Sequence, residues 1–116
     1  MKKPILIHNP RCSKSREAKE ILENSGIEFV TIDYLKEGLK EKLLIHLPKL
    51  LGLSYPEMIR SKEDIYKELK LKEQNLTDSE WVKILIQYPV LLERPIFIIN
   101  NKAVIARPPE LVSSIL

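Results

Sequence analysis

The spacing of apolar side chains changes period along this chain, and each change predicts an element. Ile5-Leu6-Ile7 is a short unbroken apolar run closed by His8 and the turn pair Asn9-Pro10, which predicts a buried strand over residues 4–8. From Ser13 to Asn24 the period lengthens. Ala18, Ile21 and Leu22 fall on one helical face, Ser13 or Cys12 stands near the N-cap, and Gly26 marks the stop. Ile27 to Tyr34 is β-branched and aromatic and predicts a second strand. Strand, helix and strand in that order imply a parallel pair joined by a right-handed crossover.

The middle of the chain reads as helical. Leu43, Leu44, Leu47, Leu50 and Leu51 recur at three- and four-residue intervals within Leu39–Leu51, an amphipathic pattern. Pro48 lies inside it and cannot donate to the carbonyl of Leu44, so a kink or a restart is expected there. Short helices are expected around Pro56–Arg60 and Glu63–Leu69. Thr77-Asp78-Ser79-Glu80 has the form of a capping box, opening a helix through Tyr88 that Pro89 ends. The period then shortens again. Ile96–Ile99, Asn100-Asn101 and Lys102–Ile105 read as a β-hairpin with left-handed turn residues. Pro108-Pro109 opens a last helix with Leu111, Val112 and Ile115 turned inward. The expected architecture is α/β: a β-α-β half and a β-β-α half in one mixed sheet, with a helical insert at about 38–90. That order resembles the thioredoxin-like fold, in one domain over residues 1–116.

Bulk composition narrows the class. A content of 44% hydrophobic and 30% charged residues belongs to a globular chain. No apolar run approaches the roughly 20 residues that cross a bilayer. Met1-Lys2-Lys3 imitates the basic start of a signal peptide, but the apolar part after Pro4 is too short for one. A cytoplasmic protein without membrane association is expected. The formal net charge is +3, and the charges mostly alternate in sign, as on solvated helix faces. No basic stripe interleaved with aromatics suggests nucleic acid; the balance favours small anions. The single cysteine excludes an intramolecular disulfide and any multi-Cys zinc site, and His8 and His46 are too scattered to hold a metal. Redox chemistry at Cys12 therefore needs a second sulfur from another molecule.

Cys12 follows a predicted strand and opens a predicted helix. A helix N-terminus offers backbone N–H groups and about half a positive charge, which favour a thiolate and a tetrahedral anion alike. Arg11, Lys14 and Arg16 add positive charge to the same turn, and His8 at the strand end could add more. The competing reading is a buried, inert thiol. Cys12-Ser13-Lys14-Ser15 is C-x-x-S, so Ser15 cannot resolve a mixed disulfide. Its hydroxyl could donate to the thiolate, or it could simply be a residue of the first helical turn.

The run His8-Asn9-Pro10-Arg11-Cys12-Ser13-Lys14-Ser15-Arg16 resembles the active-site signature of the ArsC family of arsenate reductases, the glutaredoxin-coupled kind. Arg60-Ser61-Lys62-Glu63, Tyr66-Lys67-Glu68-Leu69, Glu93-Arg94-Pro95-Ile96 and Ala106-Arg107-Pro108-Pro109-Glu110 match in register, so the resemblance covers essentially the whole chain. It implies a Cys12 thiolate as nucleophile and an oxyanion site built from Arg60, Arg94 and Arg107. Planar guanidiniums suit such an anion because they offer paired N–H donors to tetrahedral oxygens. Pro95 stands where thioredoxin-like proteins carry a cis proline facing the cysteine. His8 stands where the family has a histidine that helps to ionise it, although a satisfied strand-end histidine would look the same.

The implied reaction reduces arsenate to arsenite through a Cys12–arsenic adduct. Glutathione is the co-substrate, glutaredoxin the protein partner, no cofactor is tightly bound, and a monomer is expected. The chain resembles the shorter chromosomal members of the family, and Arg11 replaces a small residue often found beside the cysteine. Two other functions share the fold. One is a redox-responsive transcriptional regulator, which typically carries C-x-x-C. The other is a glutathione-dependent thiol-disulfide reductase, which would need Cys12 but tolerate loss of Arg94 and Arg107.

Overall fold

The computed structural model describes residues 3–116. They fall into two compact units, one made of the residues up to Glu37 together with Arg94–Leu116, the other of Gly38–Glu93.

The first unit contains β1 (Ile5–His8), α1 (Ser13–Asn24), β2 (Val30–Asp33), the short α2 (Tyr34–Glu37), β3 (Ile96–Ile99), β4 (Lys102–Ile105) and a 3₁₀ helix over Pro109–Ile115. The sheet order is β2-β1-β3-β4. β1 runs parallel to β2 with Ile5 opposite Val30 and His8 opposite Asp33. β3 is antiparallel to β1 and to β4. A parallel β-α-β followed by an antiparallel hairpin is the thioredoxin-like mixed sheet. β2 is shorter than the expected strand over Ile27 to Tyr34. Pro4 accepts the Val30 N–H at 2.8 Å but has no N–H with which to extend the ladder, and Tyr34 already turns into α2. The hairpin has the expected turn: Asn100 and Asn101 have φ of 50° and 62°, as a two-residue turn matched to the strand twist requires.

One face of this sheet is sealed by α1 and the C-terminal 3₁₀ helix. Leu6 and Phe97, register partners on β1 and β3, are fully buried against Ala18, Leu22, Ala106 and Val112. Each large side chain so buried stabilises the fold by about 1.5–3 kcal/mol. The expected inward face of α1 is present, with Ile21 partly buried beside Ala18 and Leu22. The last element is a seven-residue 3₁₀ helix, in which Val112 is buried and Leu111 and Ile115 are half-buried. A three-residue turn stacks Val112 over Ile115, whereas Leu111 falls to the side.

The second unit holds α3 (Glu41–Leu51), α4 (Asp64–Glu68) and α5 (Asp78–Gln87), with 3₁₀ turns at Tyr55–Met58, Leu71–Glu73 and Pro89–Leu91. α3 continues through Pro48 without a restart. The carbonyl of Leu44, which Pro48 cannot serve, accepts the Tyr55 hydroxyl at 2.7 Å. A side chain thus replaces the missing backbone donor. α5 opens with the expected capping box and ends two residues before Pro89. Among the described residues no helix is long and apolar enough to cross a membrane.

Candidate active site

β1 ends at His8 and α1 starts at Ser13, so four residues carry the chain from sheet to helix. The Cys12 N–H donates to the Asn9 carbonyl at 3.0 Å, closing a turn with Pro10 and Arg11 at its centre. Pro10 suits the second place of such a turn because its ring fixes φ. The Arg11 N–H donates to the Asn9 side-chain oxygen at 3.0 Å. Cys12 follows in an extended conformation, φ −91° and ψ 123°, as the N-cap of α1.

That helix end lacks the usual means of satisfying its own N–H groups. No acidic residue lies in the first turn of α1, and the Cys12 side chain makes no capping hydrogen bond. The half-buried sulfur of Cys12 stands where a capping oxygen would, with the N–H groups of Ser15 and Lys14 turned toward it. Burial is the largest single influence on the thiol and pulls its pKa up. The Ser15 N–H, the Arg94 guanidinium and the Lys14 N–H together outweigh it, and the net result lies below the ordinary cysteine value.

Arg94 is the cation beside the sulfur. Burial opposes its charge, but Tyr34 and Cys12 next to the guanidinium overcome that and hold it protonated. Nε and Nη1 of Arg94 are buried with no acceptor in hydrogen-bonding geometry. Two buried donors of one guanidinium, left open next to a nucleophilic sulfur, suit an anion with more than one oxygen. The Arg94–Pro95 bond is cis, as the resemblance implies for that position; Arg107–Pro108 is cis as well, which nothing in the sequence suggested. Arg107 is exposed, and its Nη1 donates to the Arg94 carbonyl at 3.0 Å, so these two arginines are brought together. Arg60 belongs to the second unit, where Nε pairs with Glu63 at 3.1 Å and Nη1 with Glu93 at 3.2 Å.

Two details differ from the expectations. The Ser15 hydroxyl lies 2.7 Å from His8 Nδ1 and accepts the Asn9 N–H at 3.0 Å, so it is engaged under the loop and not on the sulfur. The part of Ser15 that faces Cys12 is its backbone. His8 is buried, and burial first, then Lys19 and Arg16, lowers its pKa against the opposing pull of Asp33 and Glu23. It is held neutral near pH 7 and adds no cation to the turn. Among the nearby basic residues, Arg16 spends Nη1 on the Pro10 carbonyl at 3.0 Å. The sequence marks Asn9 only as half of a turn pair within the signature and gives Tyr34 no role at the site. Asn9 carried a signal, because Asn before Pro initiates turns; Tyr34 meets Arg94 from 60 residues away along the chain, which no spacing reveals.

The profile of the ArsC family matches residues 7–115, nearly the whole chain. The chain belongs to the ArsC family. Its relatives include the uncharacterized protein YfgD of Escherichia coli (strain K12), 43% identical over 111 residues that cover 95% of this chain and 93% of the relative. An arsenate reductase of Haemophilus influenzae (strain ATCC 51907 / DSM 11121 / KW20 / Rd) is 42% identical over 113 residues, 97% of each chain. Among solved structures, an arsenate reductase from Vibrio cholerae superposes with a TM-score of 0.92 at 42% identity, covering 97% of each chain. The ArsC fold therefore accounts for the sheet order and for the helical segment between its halves.

Proposed function

We propose that this ArsC-family chain is an arsenate reductase in which Cys12 is the nucleophile and glutathione and glutaredoxin are the external reductants. The observation that carries the reading is the pairing of a thiol held below its ordinary pKa with two buried, acceptor-free N–H groups of Arg94. The names of the relatives supply the substrate: a relative at 42% identity over nearly its whole length is an arsenate reductase.

In this scheme arsenate binds with its oxygens on the guanidiniums of Arg94 and Arg107, which offset the charge that would repel the thiolate. Cys12 attacks arsenic, an As–O bond breaks, and the oxygen leaves as water after taking up protons. Glutathione adds the second sulfur, since Cys12 is the only cysteine of the chain. The glutathione thiolate attacks the Cys12 sulfur, the S–As bond breaks with its electron pair passing to arsenic, and the two sulfurs become a Cys12–glutathione disulfide, so As(V) leaves as arsenite. A glutaredoxin thiol then takes the glutathionyl group and returns Cys12 to its starting state. Arg60, in the second unit and paired there with Glu63 and Glu93, is assigned to the oxyanion by the resemblance alone. His8 and Ser15 support the loop from beneath, and Pro95 fixes the chain next to Arg94. The reaction needs thiols kept reduced, as in cytoplasm.

Arsenate turnover by purified protein with glutathione and glutaredoxin tests this reading. Arg94→Ala is expected to lower turnover about 10²–10³-fold, the usual loss when a donor to a developing oxyanion is removed. Undiminished turnover after Arg94→Ala combined with Arg107→Ala would contradict it. A double variant that lost arsenate turnover but still reduced glutathionylated peptides would separate oxyanion chemistry from thiol-disulfide exchange.

A further inference from the structure

The proposed chemistry leaves one buried polar residue of the loop without a task. Asn9 is 6% exposed and binds the loop in three directions. Its N–H donates to the Ser15 hydroxyl at 3.0 Å, its carbonyl accepts the Cys12 N–H at 3.0 Å, and its side-chain oxygen accepts the Arg11 N–H at 3.0 Å. The first two bonds belong to the backbone and would survive any side chain. The third depends on asparagine.

We propose that Asn9 is a positioning residue for Cys12: its amide oxygen locks the turn that aims the sulfur at the N–H groups of Lys14 and Ser15. This role rests on the reading of Cys12 as a working thiolate. The physical case begins with Pro10, which has no N–H and leaves the partly buried Arg11 N–H as the donor the turn must satisfy. An Asn side chain folded back on the N–H two residues ahead does this and pins Asn9, Pro10 and Arg11 together. Cys12 must then leave the turn extended at φ −91° and ψ 123° to cap α1. Hydrogen bonds weaken steeply when the donor angle opens, so a small pivot of this turn costs the thiolate its backbone donors. The Ser15 hydroxyl, linked to both the Asn9 N–H and His8 Nδ1, anchors the other side of the same loop.

The test uses the full chain, in which Cys12 is the only thiol, so alkylation by iodoacetamide reports on that sulfur alone. Its rate is measured against pH for the wild type, Asn9→Ala and Asn9→Ser, with arsenate kcat and KM measured beside it. Asn9→Ala is expected to move the alkylation profile up toward the free-cysteine value of about 8.5 and to slow the reaction at neutral pH about three- to tenfold. Its kcat should fall more than its KM rises. Asn9→Ser keeps a shorter oxygen acceptor and is expected to recover part of both. Should Asn9→Ala fail to fold, Asn9→Ser is compared with the wild type alone, with an intermediate upward shift expected. A wild-type profile in Asn9→Ala, or a Ser variant no nearer the wild type than the Ala variant, would overturn the role of Asn9. A wild type that itself titrates like free cysteine would instead remove the thiolate reading, and this role with it. A wild type with a depressed thiol pKa and no arsenate turnover, together with the expected shift in Asn9→Ala, would remove the substrate and support the positioning role.

Discussion

Helices α1 and α5 begin in opposite ways. At α5 the N-cap Thr77 accepts the Glu80 N–H at 3.2 Å, while Glu80 accepts the Thr77 N–H and hydroxyl at 3.0 Å each. Asp78 and Glu80 add two acidic side chains to that first turn. The Thr77 N–H, then its hydroxyl, lower the pKa of the exposed Glu80 carboxyl, as expected for a carboxylate that accepts backbone donors. This helix end satisfies itself. At α1 the cap is a sulfur, the first turn holds no acid, and Arg94 stands alongside with two buried donors lacking an acceptor. The helix field left unused there bears on the Cys12 thiol. A structural helix end and a reactive one thus differ less in geometry than in whether the chain supplies its own negative charge.

Two substitutions probe that difference. Thr77→Ala removes the cap of α5 and is expected to cost about 1 kcal/mol of stability, read as a lowered denaturation midpoint, with Cys12 alkylation as in the wild type. A variant equally stable by denaturation would mean that the box at Thr77 contributes nothing. Ser13→Asp does to α1 what Asp78 does to α5. A carboxylate in the first turn should stabilise the helix by about 0.3–1 kcal/mol while raising the Cys12 pKa by repulsion. The denaturation midpoint should rise as alkylation at neutral pH slows; faster alkylation would show that the helix end does not govern the thiol.

The smallest effect concerns His8. Burial and neighbouring cations lower its folded pKa, so in mild acid the unfolded chain binds more protons than the folded one. The stability that depends on neutral His8 is complete above about pH 6.5 and is lost as pH falls through the depressed folded value. His8→Gln should therefore show a shallower fall in melting temperature between about pH 7 and pH 5 than the wild type. Parallel curves for the two proteins would place His8 outside the acid response.

Local chemistry made much of this legible from sequence. The Asn100-Asn101 turn, the Thr77 capping box and the strand-helix-strand opening are each set by residues within a few positions of one another, and each formed where expected. What the sequence could not show depends on distant partners. The Tyr55 hydroxyl that replaces the donor missing at Pro48 reaches back 11 residues, and Arg60 finds Glu93 across 33. Ser15 illustrates the same limit at close range. Its position after Cys12 suggested a hydroxyl on the sulfur, but His8 lies within reach beneath the loop and takes the hydroxyl, leaving the backbone N–H to face Cys12. The neutrality of His8 was equally hidden, because burial and the balance of Lys19 and Arg16 against Asp33 and Glu23 are set by packing. Only the resemblance points to the three arginines. Their differing states, one half-buried beside the thiol, one exposed, one already paired, are known only from the fold.

Titration of the thiolate by its ultraviolet absorbance gives the most decisive check, since with one cysteine in the chain the signal has a single source. The wild type is expected to ionise below the free-cysteine value of about 8.5, and Arg94→Ala to move the transition upward. A wild-type transition at or above that value would show that burial, which opposes ionisation, prevails at Cys12.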